Sequence, residues 1–428
     1  MLYTQEEVLQ YIEENDVRFI RLAFCDAFGE LKNISVMDQD MAEAFSSGIS
    51  FNPSEVEGFP DCDGEDLLLY PIPHTLTLLP WRPQRGRVVR MFCEIKHIDG
   101  TPYAGDVRRV LKTAEEKLLS LGLDCIIGTD CEFYLFETDE AGTPTNRPQD
   151  FAGRYDIAPR DKGENVRREI CLTINEMGIQ PRRSHHERGP GQNEIDFQYT
   201  SPTKAADHFI TFKTTVKTIA AKNGLFASFC PKPLEEYDGN GLHVNIILFK
   251  DGENIFAADS RYAALAEAFT EGLLRHLNEI SVFFNSTVNS YKRLSAEGFP
   301  TEIVWSRKNS GSLVAIPKNS HNARLRLRSP DSACNPYLAF SLMLLAGAEG
   351  IEQKLTLREP EIPQKDAENL PASLGEACRL ARESKLANSA LPSELFAHYI
   401  SAKEREARAY KNAADKGRFE RENYFFVI

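Results

Sequence analysis

Apolar and polar residues alternate along this chain with two different periods, near two residues in some segments and near 3.6 in others. Val8, Leu9 and Ile12 recur at helical spacing close to the start. FIRLAFCDAFGELKNISV reads as a hairpin whose turn lies at residues 26–29. FNPSEVEGFPDCDGEDLLLYPIP reads as a loop-like stretch, and RVVRMFCEIKHIDG as a strand ending in Asp-Gly. The segment GTPYAGD (100–106) separates this β-rich part from a helix starting near Val107, so the chain divides into domains 1–100 and 101–428. Beyond that point the period predicts helices over 107–122, 163–177, 203–223, 256–279, 336–353, 373–382 and 391–412. Strands are expected over 124–137, 193–199, 225–230, 242–249, 312–316 and 323–328. Neither a Gly-rich phosphate loop nor a dinucleotide fingerprint appears. The expected class is therefore α+β, a mostly antiparallel sheet with helices packed against it.

Residues two apart on a strand point to the same side. In DCIIGTDCEFYLF, Asp130, Glu132 and Tyr134 share one face, and Cys131, Phe133 and Leu135 share the other. Glu194 and Asp196 oppose Ile195 and Phe197; His243 and Asn245 oppose Leu242, Val244 and Ile246. Arg324, Arg326 and Arg328 oppose Leu325 and Leu327. Any one such strand is expected to belong to an ordinary half-buried sheet with its polar face in water. Four together are unusual. Three alternating arginines repel one another unless anions lie nearby, and arginine suits phosphate and carboxylate. Acids beside a histidine, without thiolate spacing, suit a hard cation such as Mg²⁺ or Mn²⁺.

Composition narrows the field. The 428 residues carry 50 Lys+Arg against 63 Asp+Glu, a net charge of −13, which argues against general nucleic-acid binding. With 42% hydrophobic residues the chain can bury a large core. No stretch approaches the roughly 20 apolar residues needed to cross a bilayer. The acidic, amphipathic start MLYTQEEVLQYIEEN does not read as a signal peptide. The nine cysteines form no CxxC pair, which points to reduced thiols in a cytoplasmic protein. Two motifs strengthen the metal–phosphate reading. In SHHERGPGQNEIDF, Glu187 and Glu194 flank a Gly-Pro-Gly turn that can fold both toward one ion; alone, it reads as a charged surface loop. In CPKPLEEYDGNGLH, Gly239 and Gly241 can bring backbone amides near a ligand before His243.

In this order the motifs resemble the glutamine synthetase family of type I, ATP-dependent ligases joining a γ-carboxylate to an amine. The resemblance runs from VRFIRLAFCDAFGELKN through FNPSEVEGF, GTDCEFYLF, SHHERGPGQNEIDF, FASFCPKPL, GNGLHVN, NSYKRL and ARLRLRSPDSACNPYLAF to SLGEA. It implies a small N-terminal β-grasp domain, a large α+β catalytic domain, and two stacked hexameric rings (a homododecamer) with active sites between subunits. It implies ATP, Mg²⁺ or Mn²⁺, an amino acid such as glutamate, and an amine as partners, with no nucleic acid and no membrane. Glu132, Glu187 and Glu194 match the first metal site. Asp130 and His243 match two ligands of the second, whose third ligand, a family Glu, is Arg326 here; a guanidinium cannot ligate Mg²⁺, so the second ion is expected to be lost or weakened. Gly239, His243, Arg293 and Arg328 match substrate positions, with Asp238 in place of a family Asn. Arg324 and Asn245 match nucleotide positions, Arg293 and Arg324 being the candidate catalytic residues, whereas the next phosphate arginine is Ser310 and a nucleotide-side Ser is Ile247.

The ammonia side departs furthest. The family's D-G-S-S loop is Asn52-Pro53-Ser54-Glu55, its Tyr falls at Arg154, and its flap P-G-Y-E-A-P is the shorter Ala296-Glu297-Gly298-Phe299-Pro300. The adenylylation-loop tyrosine of some members has no counterpart in REPEIPQKDAENLPASL. Ammonium needs acids to hold it and to take its proton. The expected activity is therefore a γ-glutamyl–amine or related ligase using an amine other than ammonia. A catalytically silent homologue and an ordinary glutamine synthetase are the alternatives.

Overall fold

In the computed structural model, residues 3–60, 64–307, 311–317, 323–360 and 368–428 are described. Helix α1 (Gln5–Glu14) starts from a capping box in which the Thr4 side chain accepts from the Glu7 amide while the Glu7 carboxylate accepts from the Thr4 amide. It buries Val8 and Ile12. Strands β1 (Val17–Cys25) and β2 (Leu31–Met37) form the expected antiparallel hairpin. Its turn is set by the Asp26 carboxylate, which accepts from the Phe28 and Glu30 amides at 2.9 and 3.0 Å, and by Gly29 at φ +81°. A short helix α2 (Met41–Ser47) leads to β3 (Ile49–Phe51) and β4 (Leu67–Pro71), followed by β5 (Thr77–Leu78) and β6 (Arg87–Lys96). The stretch expected to be loop-like thus contains β4. The run LLL hides the alternation there, yet Leu67 and Leu69 are buried while Leu68 between them is only half-buried.

The strands lie in the order β2-β1-β6-β4-β3 with β5 also on β6; β1 and β6 run parallel and the other pairs antiparallel. Ile20, Leu22, Val89 and Met91 face α1 and α2 in one small core, whereas Ala23 and Phe92 join the large core of the rest of the chain. Among the described residues the second part is a ten-stranded sheet with covering helices. Helix α3 (Val107–Ser120), capped by Asp106, leads into the 15-residue strand β7 (Asp124–Thr138), which is flanked by β8 (Pro144–Pro148). Then follow α4 (Glu164–Glu176), β9 (Pro181–His186), β10 (Gln192–Phe197), α5 (Pro202–Lys222), β11 (Leu225–Ser228), β12 (Leu242–Lys250) and β13 (Glu253–Asn254). Helix α6 (Ala263–His276) begins seven residues later than its apolar pattern predicts. Asn254 and Ser260 accept from the Phe256 and Tyr262 amides and so turn the preceding backbone out of the helix.

Helix α7 (Val288–Leu294), the short strands β14 (Trp305–Ser306), β15 (Val314–Ala315) and β16 (Leu325–Leu327), and helix α8 (Pro336–Glu352) come next. Helices α9 (Leu374–Glu383), α10 (Lys385–Ala390), α11 (Ser393–Asn412) and α12 (Lys416–Glu420) finish the chain. The main path of the sheet is β14-β15-β16-β12-β7-β10-β9, antiparallel except between β14 and β15. Cys131, Phe133, Leu135, Ile195, Phe197, Val244 and Ile246 pack with α3, α4 and α5 into the large core, which leaves the opposite face to the polar residues of the same strands.

Asn335 joins the two parts. Its Oδ1 caps α8 by accepting from the Tyr337 amide at 2.9 Å, and its Nδ2 donates to the Asp26 and Ala27 carbonyls at 3.1 and 3.0 Å in the hairpin turn. Behind it, Arg108 donates to Asp207, which also accepts from the Tyr337 hydroxyl, so α3, α5 and α8 share one carboxylate. The eight described cysteines are free thiols, seven of them buried, and Cys62 lies outside the described residues. Among the described residues no helix is long and apolar enough to cross a membrane.

Candidate active site

Cross-strand pairing brings the acids together. Glu132 on β7 stands opposite Glu194 on β10, Asp130 stands opposite both Asp196 and His243, and Asn245 on β12 stands opposite Arg326 on β16. The expected solvated polar face is not what the structure contains. Asp130, Asp196, Glu194, Asn245 and Arg326 are all buried. Glu187 leaves the end of β9 through the Gly-Pro-Gly turn and is buried beside Glu194. His185, which pairs with Glu194 across β9 and β10, lies 3.3 Å from the Glu187 carboxylate and 3.2 Å from that of Glu194.

A cavity of about 280 Å³ opens above these acids, and its wall includes Glu132, Glu187, Gly239, His243, Arg293 and Arg328. It therefore unites one part of the sequence-derived site. Asn245 and Arg324 stand further along the sheet, where Arg324 Nε and Arg326 Nε both donate to Asn245 Oδ1, at 2.8 and 2.9 Å. Ser310 lies outside the described residues. The Gly239 backbone fits only without a side chain, since a Cβ there would lie 2.4 Å from the Pro231 carbonyl oxygen and 2.7 Å from Arg293 Cγ. The neighbouring Gly241 amide donates to Glu132 Oε2 at 2.7 Å. Arg293 is fixed from three sides: its guanidinium donates to the Ser329 and Pro330 carbonyls, and its carbon lies 4.8 Å from the Phe299 ring centroid. Gly239→Ala should therefore shift both the Pro231 backbone, the closer contact, and Arg293. The expected result is a rise of about tenfold or more in KM for the acid substrate, with kcat changing less and with an unaltered circular-dichroism spectrum.

Electrostatics separates the three carboxylates. Burial, together with the charges of Glu194 and Glu187, pushes Glu132 well above the ordinary carboxylate range, and burial beside Glu194 raises Glu187 as well. Burial also opposes the charge on Glu194, but the hydrogen bond from His185 prevails and holds it at about 2. Glu187 Oε1 is buried between two nitrogens, Arg154 Nη2 at 3.2 Å and His185 Nδ1 at 3.3 Å. Glu187 and Glu194 offer, with His185, ligand atoms close enough to share one ion, and Glu132 faces the adjoining cavity, a donor set that a hard divalent cation fits. The neighbouring position does not fit one. Arg326 is hydrogen-bonded to Asp130 there, Asn245 Nδ2 donates to the same carboxylate at 3.2 Å, and burial with Arg326 and Arg328 nearby lowers His243 to about 3.

On the side expected for the amine, Arg154 lies 3.2 Å from Glu187 Oε1 and 5.0 Å over the Tyr155 ring. Phe151, Tyr155 and Ile157 in the same loop are exposed. Glu297, Gly298 and Phe299 of the shortened flap belong to the cavity wall. Asn52 instead folds onto its own turn, accepting from the Ser54 amide and hydroxyl at 3.0 and 2.7 Å, and does not line the cavity of its own chain. Sequence reading passed over His185 and Gln192. Gln192 Nε2 reaches the Gly239 carbonyl at 3.2 Å and Asn240 Oδ1 at 3.3 Å. Folding SHHERGPGQNE as a hairpin about its Gly-Pro-Gly would have set His185 opposite Glu194.

Two family models match the chain, one described as glutamine synthetase, beta-Grasp domain, over residues 16–98, and one as glutamine synthetase, catalytic domain, over residues 104–424. Glutamine synthetase of Clostridium saccharobutylicum is 40% identical over 439 residues, covering 99% of this chain and 98% of that protein. That of Methanosarcina mazei is 41% identical over 425 residues, covering 95% of each. Among solved structures, GmaS without ligand superposes with a TM-score of 0.86 at 28% identity, covering 97% of this chain and 98% of that one. Plasmodium falciparum glutamine synthetase superposes with a TM-score of 0.86 over 99% of each chain at 22% identity, a likeness of fold.

Proposed function

On the premise that the chain belongs to the glutamine synthetase family of ATP-dependent ligases, we propose that it joins the carboxylate of glutamate or a related acid to an amine other than ammonia. In this reading the γ-carboxylate oxygen attacks the terminal phosphorus of ATP and ADP leaves. The amine nitrogen then attacks the resulting acyl carbon, and phosphate leaves as the amide forms. Arg293 and Arg328 hold the acid, with Gly239 and His243 shaping its seat, and Arg324 and Asn245 meet the nucleotide phosphates; the likeness to a GmaS solved with ADP supports a nucleotide substrate in general. Glu132, Glu187 and Glu194 would hold one Mg²⁺ or Mn²⁺, which when bound supplies positive charge against the phosphoryl oxygens. Asp130 and His243 hold no second ion in this reading, because Arg326 brings a fixed charge to that position. The division at residue 100 belongs to the same reading, as does a ring assembly in which the Asn52–Glu55 turn reaches a neighbouring copy.

The observation that carries the choice of amine is Arg154. Its guanidinium occupies Glu187, a carboxylate that would otherwise be free to hold a bare ammonium ion, while the exposed Phe151, Tyr155 and Ile157 offer apolar surface that only an amine with a substituent can use. Full-length chain supplied with ATP, Mg²⁺ or Mn²⁺ and glutamate should release phosphate faster with at least one primary amine or diamine than with ammonium. Ammonium as the best nucleophile overturns the proposal and agrees with relatives called glutamine synthetase. The Arg326–Asp130 pair favours a second reading, a homologue that binds Mg·ATP without turnover. Calorimetric binding of Mg·ATP with no phosphate release across amines and acids would establish that reading instead.

A further inference from the structure

A cleft of about 590 Å³ lies away from the acid cavity, between β5 and β6 of the small sheet and helices α3 and α5. Arg90 projects from β6 into it and is 6% exposed. Its Nε is buried with no hydrogen-bond partner, and its guanidinium carbon rests 4.4 Å over the Phe92 ring. A buried guanidinium left without an anion is costly, so its persistence calls for an explanation. Asp207 attracts it from beyond ion-pair distance, but among the described residues no carboxylate on the cleft wall pairs with it directly. Asp207 is held by Arg108 and the Tyr337 hydroxyl, Glu115 accepts from Thr203 at 2.8 Å, and Glu94 lies 3.6 Å from Lys96. Lys112 and Lys204, on α3 and α5, are exposed at the rim and make no ion pair among the described residues. His208 adds a buried Nδ1 without a partner, and burial with Lys204 nearby pushes it down to about 4.

We infer that this cleft binds a small multivalent oxyanion, a phosphate or a dicarboxylate, on the Arg90 guanidinium with Lys112 and Lys204 at its mouth. Planar guanidinium and carboxylate or phosphate match in geometry as well as charge, and the cleft has room for a compact metabolite. Such an occupant touches the small domain through Arg90 and the large one through α3 and α5, so it bridges them.

Isothermal titration of the full-length chain with inorganic phosphate and, separately, succinate tests this, each against chloride at matched ionic strength. Saturable binding of at least one anion is expected, and the stronger of the two names the source chemistry. Arg90→Gln should weaken it about tenfold or more. The exposed pair Lys112→Gln and Lys204→Gln, which leaves the core untouched, should weaken it severalfold. Arg324→Gln should retain full affinity, which separates the cleft from any phosphate bound beside the acid cavity. No saturable binding of either anion, loss of binding in Arg324→Gln, or undiminished affinity in the lysine pair overturns the inference. Should Arg90→Gln fail to fold, the lysine pair and Arg324→Gln decide it.

Discussion

Glu187→Gln is expected to lower ATP-dependent phosphate release by about 10³-fold, the order of effect when a metal ligand that stabilises phosphoryl-transfer charge is lost. Glutamine keeps the volume and removes the charge. If Glu187 offers its carboxylate to the cation beside Glu194 and His185, the variant should also lose tight Mn²⁺ binding, read by electron paramagnetic resonance. Arg154 would then lose its carboxylate partner at 3.2 Å, which should alter amine preference in whatever turnover remains. The side chain contributes no apolar packing, so the melting temperature without metal should be unchanged or higher, because one charge leaves a crowded acid cluster. Full turnover and undiminished Mn²⁺ affinity in this variant would remove Glu187 from the ion site.

The second large effect concerns Arg326. Arg326→Leu leaves Asp130 buried beside Glu194 and Asp196 without its guanidinium, and breaking one side of a buried pair typically costs about 3–5 kcal/mol. Guanidinium-chloride unfolding should show that loss as a lower midpoint at an unchanged slope. Adding Asp130→Asn should recover most of it, since an amide needs no counter-ion there and can still accept from Asn245. A single variant as stable as the parent would show that the pair contributes only local order.

Much of this site was legible in the residues because strand alternation fixes faces. The period alone places Asp130, Glu132, Glu194, Asp196, His243 and Asn245 on the polar faces of three strands, and the register then sets them opposite one another. The resemblance added the order of motifs and the significance of Arg326. Burial was not legible, since alternation describes one sheet and cannot reveal what packs over its polar face. His185 escaped because its role depends on the β9–β10 register, a contact between strands. Helices α2 and α10 escaped for a different reason: at seven and six residues each offers too little periodic pattern to stand out. Local side-chain bonds, as at Asn254 and Ser260, moved the start of α6 without changing its apolar pattern.

Asn335 meets two independent demands with the two ends of one amide, capping α8 with its oxygen and holding the hairpin turn at Asp26 and Ala27 with its nitrogen. Aspartate would cap but has nothing to donate, serine is too short to reach both, and glutamine carries its amide one bond too far. The position therefore has no synonym among the natural amino acids. The alphabet itself, more than any gain in stability, limits how far the small domain can drift from the large one.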